Sequence, residues 1–288
     1  MHRSLFAVPG LCDSVRAHCA EIAANARDVA IHDVDFDPGN VSGLDPELHF
    51  LEGPPDDVAR YVLILDTINF GSGWFGELQV TTDGLTKQLT EHARAERPWT
   101  PDQLRALEAP TVGATLGMPA GHQLTRLYAT ALNQLGAFLG HRPLDQVLGD
   151  SAEDLAERLA REMPFFDDVG FYKRAQIAAN DLHLAGVVAY PDIDRLTIFA
   201  DNLVPHVLRL DGVLRYSDEL ARRIDMGLAL TAGGEFEREL RGCAVHACER
   251  LARELGVAPR LLDNWLWNRG VDPPYSERPA HIAHTVYY

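Results

Sequence analysis

This sequence lacks the features that suit a protein to long nucleic acids or to membranes. Its 288 residues contain 26 Lys and Arg against 42 Asp and Glu, which gives a formal net charge of −16. Binding to a phosphate backbone needs a basic surface, so we expect no nucleic-acid duplex as partner, although a few local donors can still bind a small anion. No apolar run approaches the roughly 20 residues that a membrane helix needs.

Cysteines are few, and no secretory signal is recognisable. The 4 Cys show no disulfide-framework spacing, and the first residues contain no hydrophobic segment typical of a signal peptide. We therefore expect reduced thiols and a cytoplasmic location. Cys243, His246 and Cys248 lie close in sequence, but on a helix position 248 points away from the other two. We expect core thiols there, no metal and no cofactor.

Strand patterns are scarce, and helical periodicity with capping signals dominates. We predict a mainly α chain that forms a single domain over residues 1–288, with a turn-rich loop over 30–56. Three predicted helices are recognised by their starts, at Asp13, at Thr100 with Pro101 in the first position, and at Ser151. Four more are predicted over 124–139, 171–184, 235–255 and 261–268, the last stopped by Gly270. The strand candidates are 78–82 and 62–65.

Three glycines, Gly71, Gly73 and Gly76, form a G-x-G-x-x-G pattern after an apolar run. A dinucleotide-binding interpretation needs a helix opening at these glycines and alternating strands and helices, neither of which follows. The alternatives are a glycine-kinked loop after a buried helix, or a loop that approaches a flat ligand closely, with Phe70, Trp74 and Phe75 as stacking faces.

Two further segments could carry chemistry. Lys173 lies beside aromatics at the start of a predicted helix, where free N–H groups and a cation suit an anion such as a phosphate; the alternative is a solvated Lys-Arg pair. Asp201 lies just ahead of an apolar run with Pro205 in its first turn. It is either an ordinary N-cap or a carboxylate held in an apolar pocket, where it could orient a water or stabilise a cationic transition state.

Together these segments resemble the queuosine salvage proteins, a family of queuosine 5′-phosphate N-glycosylases. The resemblance is carried by Leu65–Phe75, Gly170–Ile177, Asp192–Ser217, Glu235–Cys248, Leu261–Gly270 and Thr285–Tyr288. It implies an all-α fold similar to helix-hairpin-helix DNA glycosylases, with a hairpin at Asp211-Gly212 beside the catalytic carboxylate. It also implies hydrolysis of queuosine 5′-monophosphate, a small-molecule substrate, with release of queuine for return to tRNA.

By motif position, Asp201 corresponds to the family's essential Asp and Lys173 to its essential Lys. A carboxylate beside C1′ can stabilise the positive charge that develops on the ribose and accept a proton from water. We expect Lys173 to bind the 5′-phosphate, and Phe70 and Trp74 to line the base pocket. The full set of expected substrate contacts is Lys173, Asn69, Phe70, Trp74, Asn202, His206, Asp263 and Tyr288.

Two other classes of function stay open at this point. One is a non-catalytic helix-hairpin-helix module that binds nucleic acid, which the net charge of −16 disfavours. The other is an NAD-dependent oxidoreductase based on the glycine pattern, which the absence of strand–helix alternation disfavours.

Overall fold

A computed structural model describes residues 9–34, 36 and 43–288 of the chain. Fourteen α-helices make up most of these residues, so the prediction of a mainly helical chain is confirmed. In chain order they are α1 (Leu11–Asn25), α2 (Pro55–Ile68), α3 (Phe75–Leu78), α4 (Thr82–Glu96), α5 (Pro101–Arg105), α6 (Ala109–Leu116), α7 (Gln123–Leu139), α8 (Leu144–Leu148), α9 (Ala152–Glu162), α10 (Lys173–Leu184), α11 (Leu203–Leu210), α12 (Asp218–Asp225), α13 (Glu235–Leu255) and α14 (Pro259–Val271). Short 3₁₀ turns occur at Ser72–Trp74, Pro164–Phe166 and Ile193–Arg195.

The described residues form one small sheet, an antiparallel pair. It joins β1 (Val29–Ile31) to β2 (Leu214–Tyr216), with Ala30 opposite Arg215. β1 overlaps the start of the segment 30–56 that we expected to be a loop, of which residues 35 and 37–42 lie outside the described residues. β2 follows the Asp211-Gly212 turn, so a strand leads the chain away from α11 where the family resemblance suggested a hairpin.

Close helix crossings are made possible by glycines. A Cβ on Gly242 of α13 would lie 2.6 Å from the side chain of Ile22 on α1, and one on Gly270 of α14 would lie 2.6 Å from Leu203 on α11. Gly270 is therefore a contact residue inside α14, and the prediction that it stops that helix is wrong. The crossing of α11 with α14 matters because it holds together two walls of the candidate site.

Several helix boundaries follow the local signals in the sequence. Thr100 and Gln103 form a capping box at α5, Ser151 caps α9 through the N–H of Asp154, and Gly140 closes α7. The predicted bounds of α13 are confirmed, with the left-handed Gly256 as its stop. These boundaries depend on a few adjacent residues, which is why the sequence alone predicts them.

Other boundaries were predicted wrongly. α1 starts at Leu11, with Gly10 and not Asp13 at its N-cap. α10 starts at Lys173 and not at residue 171, because Tyr172 has a left-handed backbone (φ 50°) that cannot belong to a helix. Both strand candidates are wrong: 62–65 lies inside α2, and 78–82 joins α3 to α4.

The glycine pattern at 71–76 follows a helix, not a strand, and leads into a 3₁₀ turn. Within the described part of the chain the only sheet is the β1–β2 pair, so the parallel sheet that a dinucleotide-binding fold requires is not found there. This correction removes the structural basis for the oxidoreductase alternative. Of the helices in the described ranges, none combines the length and the apolar character needed to span a membrane.

Candidate active site

Two adjoining cavities lie where α2, α10, α11 and α14 meet. The first has a volume of about 560 Å³ and the second of about 640 Å³. Phe75, Phe199, Trp267 and Asp263 line both, so these side chains stand at the junction of the two cavities. Of the residues expected from the sequence, the first cavity is lined by Asn69, Phe70, Lys173, Asp201, Asn202, His206, Asp263 and Tyr288.

Asp201 lies two residues before the start of α11 and is 6% exposed. Its Oδ1 accepts hydrogen bonds from the backbone N–H groups of Leu203 at 2.8 Å and Val204 at 3.0 Å. The N-cap residue of α11 is Asn202, so the expectation that Asp201 is itself the N-cap is corrected by one position. The Asp201 side chain still accepts from the first N–H groups of the helix, and it also lines the first cavity.

Lys173 is 4% exposed, so the solvated Lys-Arg pair that we considered as an alternative does not occur. Three carboxylates, Asp201, Asp263 and Asp66, act on its ammonium group. Burial lowers the pKa of Lys173, and the three carboxylates oppose that effect by stabilising the charged form. Lys173 is therefore a buried cation among carboxyl groups, and the charge of the neighbouring buried Arg174 lowers its pKa further.

The N-terminus of α10, which we expected to favour an anion, already holds a carboxylate of the protein. The backbone N–H of Lys173 donates to Asp168 Oδ2 at 3.3 Å. The N–H groups of Phe171 and Tyr172 donate to the backbone oxygen of Asp168 at 2.9 and 2.7 Å. The first N–H group of this helix is therefore already bonded within the protein, and the expectation that the other free N–H groups help to hold a phosphate stays a prediction.

A buried ion pair fixes the backbone on both sides of the Asp201–Lys173 pair. Arg241 donates to Asp168 Oδ2 at 2.5 Å, and its Nε donates to the carbonyl oxygen of Ala200 at 2.9 Å. Asp168 caps the backbone of Lys173, and Ala200 directly precedes Asp201. Because a guanidinium presents several donors in a rigid plane, one side chain positions both residues.

Arg174 supports the glycine loop from inside the core. Its guanidinium donates to the carbonyl oxygens of Thr67 at 2.6 Å and Val286 at 2.7 Å, and it lies 4.6 Å from the ring centroid of Phe70. Phe70 also packs edge-on against Tyr128 at 4.9 Å. Phe70 therefore lines the first cavity as a rigid wall that is already packed on its other side.

Trp74 lies outside the lining of both cavities, so the structure does not bring it together with the other expected site residues. Its ring packs against His284 at a centroid distance of 5.0 Å. A Cβ on Gly73 would lie 2.2 Å from the carbonyl oxygen of Ala283, so the loop is pressed onto the C-terminal segment at this point. Phe75, next along the chain, faces both cavities in its place.

Three expected residues line the first cavity and also fix its walls. Asn202 Nδ2 donates to the carbonyl oxygen of His281 at 3.3 Å, and His206 Nε2 donates to that of Tyr275 at 3.0 Å. The hydroxyl of Tyr288 pairs with His281 Nε2 at 3.1 Å. Burial lowers the pKa of His206, which favours a neutral imidazole.

Sequence reasoning missed the acidic residues of the second cavity. Asp66, Asp181 and Asn180 line it, together with the shared Asp263. Burial, and next the charge of Asp181, raises the pKa of Asp66 well above its usual value. Burial raises the pKa of Asp181 to about 6, against the opposing effect of a hydrogen bond from Asn180. Burial, and next the charge of Asp201, raises the pKa of Asp263 well above its usual value.

Arg278, at the mouth of the first cavity, was also missed. It is exposed and lines that cavity together with Ser276 and Tyr275. The only sequence signal for these residues was their place in or near segments that carry the family resemblance, since an isolated Arg in a turn-rich stretch and an Asp on a helix are ordinary surface features.

Comparison with known proteins gives consistent matches. A family model described as queuosine salvage protein matches residues 131–288. A relative from Sphaerobacter thermophilus is 29% identical over 276 residues, which covers 84% of this chain and 84% of the relative. One from Dictyostelium discoideum is 29% identical over 253 residues, covering 80% and 78%. One from Nematostella vectensis is 40% identical over 146 residues, covering 42% of each. All three relatives are named queuosine 5′-phosphate N-glycosylase/hydrolase.

Proposed function

This chain belongs to the queuosine salvage protein family, and from that membership we propose that it hydrolyses the N-glycosidic bond of queuosine 5′-phosphate and releases queuine. The observation that carries the proposal is the Asp201 carboxylate. It is buried at a cavity wall, with one oxygen fixed by two backbone N–H groups and with the cation of Lys173 acting on the same cluster. A fixed carboxylate of this kind suits a reaction that develops positive charge on a sugar.

In the proposed reaction the bond between ribose C1′ and the base nitrogen breaks, a water oxygen bonds to C1′, and the base leaves with a proton. Asp201 stabilises the developing positive charge and accepts a proton from the attacking water. Lys173 places a buried cation close enough to Asp201 for the two side chains to interact electrostatically. These roles need only side chains and water, so no metal or cofactor is included in the proposal.

Asp263 is our candidate for assisting the leaving base. Queuine is a 7-deazaguanine and lacks the N7 at which purines are usually protonated, so help must reach another atom of the base. Asp263 lies at the junction of the cavities, its Oδ1 accepts the N–H of Phe199 at 2.7 Å, and its raised pKa favours the protonated form. A protonated carboxyl can donate its hydrogen to the base while Asp201 acts on the ribose.

For the 5′-phosphate we propose the mouth of the first cavity, at Arg278 and Ser276. Arg278 is exposed there, whereas Lys173 is buried and already interacts with Asp201. This placement replaces the earlier expectation for Lys173. The phosphate then acts as a remote binding group whose interaction energy holds the ribose against Asp201.

Several broader properties belong to the same proposal. One hydrophobic cluster contains buried residues from Leu11 to Leu266, which supports a single domain over 1–288. The four cysteines are buried free thiols, which supports a reducing, cytoplasmic location. The net charge of −16 supports a small-molecule partner and no nucleic-acid duplex. The kinship with helix-hairpin-helix glycosylases is supported by family resemblance and by the helix and turn that follow Asp201.

The direct test is to incubate the purified protein with queuosine 5′-phosphate and follow free queuine by chromatography. We expect the wild type to release queuine and Asp201→Asn to lose at least 100-fold in kcat/KM, a typical scale for a charge-stabilising group. The Asn oxygen can still cap α11, so the free energy of unfolding should change by no more than about 1 kcal/mol.

Asp192→Asn is a matched control, because Asp192 also accepts backbone N–H groups at a helix start, those of Ala152 at 2.8 Å and Glu153 at 3.2 Å. It lies outside both cavities, so its activity should stay near that of the wild type. An Asp201→Asn protein that keeps turnover within tenfold of wild type would contradict the assigned role.

A further inference from the structure

The segment that ends in Asp201 is held in place by side chains. Residues 196–201 connect the turn at Ile193–Arg195 to α11, form neither helix nor strand, and are all buried. A buried backbone without helical or sheet hydrogen bonds needs other partners for its N–H and C=O groups. Three buried side chains from three helices supply such partners. The N–H of Thr197 donates to Gln176 of α10 at 2.9 Å, the N–H of Phe199 donates to Asp263 of α14 at 2.7 Å, and Arg241 of α13 donates to the carbonyl oxygen of Ala200 at 2.9 Å.

Gln176 is 0% exposed, and both ends of its amide are paired. Its Oε1 accepts the N–H of Thr197 at 2.9 Å, and its Nε2 donates to the hydroxyl oxygen of Thr197 at 3.0 Å and to the carbonyl oxygen of Phe171 at 3.0 Å. Turning the amide over would place its oxygen against the Phe171 carbonyl and its NH2 group against the Thr197 N–H, so one orientation is fixed. The side chain therefore acts as a rigid link between Phe171 and Thr197.

The two ends of this link lie close in sequence to the two charged residues of the first cavity. Phe171 is two residues before Lys173, and Thr197 is four residues before Asp201. Arg241 joins the same two stretches of chain at a second point. Two links at different points prevent the stretches from rotating against each other, whereas a single link would allow rotation about it.

We propose that Gln176 is a positioning residue, which acts through Thr197 to hold the Asp201 carboxylate in its reactive place relative to Lys173 and the ribose. The inference rests on the proposed function and adds to it a residue that lines neither cavity. A displacement of about 1 Å at a reacting group can cost about 100-fold in rate, so even a small relaxation of residues 196–201 is measurable. The competing role is a purely structural one, in which the amide only satisfies buried backbone groups.

The test starts from Gln176→Met, which keeps the length of the side chain but removes the hydrogen bonds of the amide. With queuosine 5′-phosphate we expect kcat to fall by about tenfold while KM stays within about twofold, because misplacing Asp201 weakens stabilisation of the transition state and not substrate binding. Thr197→Val is a milder variant, since it removes the hydroxyl but keeps the N–H that donates to Gln176. Its kcat should fall by about threefold.

A double-mutant cycle separates positioning from a general loss of folded protein. In an Asp201→Asn background, measured in single turnovers with excess enzyme, adding Gln176→Met should lower the residual rate by less than about twofold, because the carboxylate that Gln176 positions is already absent. A structural defect would lower that rate by the same factor as in the wild type. If Gln176→Met does not fold, the same cycle with Thr197→Val makes the comparison.

Asn133→Leu is the matched control. Asn133 of α7 also holds backbone groups with its amide, donating to the carbonyl oxygens of Leu104 at 2.8 Å and Leu107 at 3.0 Å, and it lines neither cavity. This variant should keep the kcat of wild type. A wild type that releases no queuine would overturn the proposed function. With an active wild type, the positioning role alone would be overturned if Gln176→Met kept its kcat, raised KM instead, or lost the same factor with and without the Asp201 carboxylate.

Discussion

Asp201 and Asp66 are two buried carboxyl groups in one cleft, and they differ in their hydrogen bonding to the protein. Asp201 accepts two backbone hydrogen bonds, at 2.8 and 3.0 Å. Asp66, about as well buried, accepts none from the described residues, and burial raises its pKa well above the usual value. The first carboxylate is stabilised before any ligand arrives, whereas the second leaves its hydrogen bonds open.

Under the proposed function, this difference is the one expected between a group that takes part in the reaction and a group that recognises a ligand. A group that must carry charge in the transition state works best when the protein has already oriented dipoles toward it, as the start of α11 does for Asp201. A group that selects a ligand gains most when its hydrogen bonds are completed only by the correct partner, because an analogue without donors then leaves it unpaired. Lys173 acts on both carboxylates, so it is the place where the two regions can be tested together.

The largest effect is expected for Lys173→Met, which removes the shared cation but keeps the length of the side chain. Without it, the buried cation that acts on Asp201 is lost, and catalysis should fall by about 100-fold or more. Because we place the phosphate elsewhere, kcat/KM should fall by a similar factor for queuosine 5′-phosphate and for free queuosine.

Lys87→Met is the matched control, since Lys87 is the only other lysine of the chain and lies exposed on α4, outside both cavities. It should behave as wild type with both substrates. If Lys173→Met damages the monophosphate reaction far more than the nucleoside reaction, Lys173 contacts the phosphate after all, as the sequence first suggested.

A smaller and one-sided effect is expected for Arg278→Gln. Arg278 lies at the open mouth of the first cavity, where solvent screens its charge, so its removal should reduce kcat/KM for queuosine 5′-phosphate by about tenfold. The nucleoside lacks the phosphate and should be cleaved at an unchanged rate. Arg238→Gln, an exposed change on α13 outside both cavities, serves as control. Equal losses for both substrates would place Arg278 on the ribose or base.

The parts of this structure that sequence predicts are those with short-range causes. The capping box at Thr100 and the stop of α13 at Gly256 each depend on residues within one or two turns. Asp201 was recognisable because its motif combines a cap, a proline and an apolar run. Of the site residues expected from the motifs, all except Trp74 line the first cavity.

What sequence could not predict depends on partners far along the chain. The orientation of Trp74 is set by the C-terminal segment around Ala283, and β1 exists only because β2, nearly 200 residues later, pairs with it. The acidic wall of the second cavity forms because α2 and α10 bring Asp66 and Asp181 together. Each of these residues has an ordinary local pattern, so only tertiary packing reveals it.

The smallest expected effect is a change in how stability depends on pH, and it probes the second cavity without any ligand. Burial raises the pKa of Asp181 to about 6 in the folded protein, against an ordinary value of 3.8. Between these two values the folded chain holds a proton that the unfolded chain has lost. The contribution of Asp181 to the free energy of unfolding therefore falls as pH rises from about 4 to 6 and is constant above that window.

Asp181→Asn should remove this loss. As pH rises from 4 to 7, the free energy of unfolding of the variant should increase relative to that of wild type by on the order of 1–2 kcal/mol. Urea titration at each pH measures this difference. Asp66 and Asp181 repel each other, and Lys173 acts on both. The double variant with Asp66→Asn should therefore gain less stability than the sum of the two single changes.

Saturating queuine should stabilise the wild type more at pH 7 than at pH 5, because its ammonium favours the ionised carboxylates. Parallel curves of stability against pH for wild type and Asp181→Asn would show that ionising Asp181 costs no stability. Asp66 and Asp201 would then differ only in their hydrogen bonds.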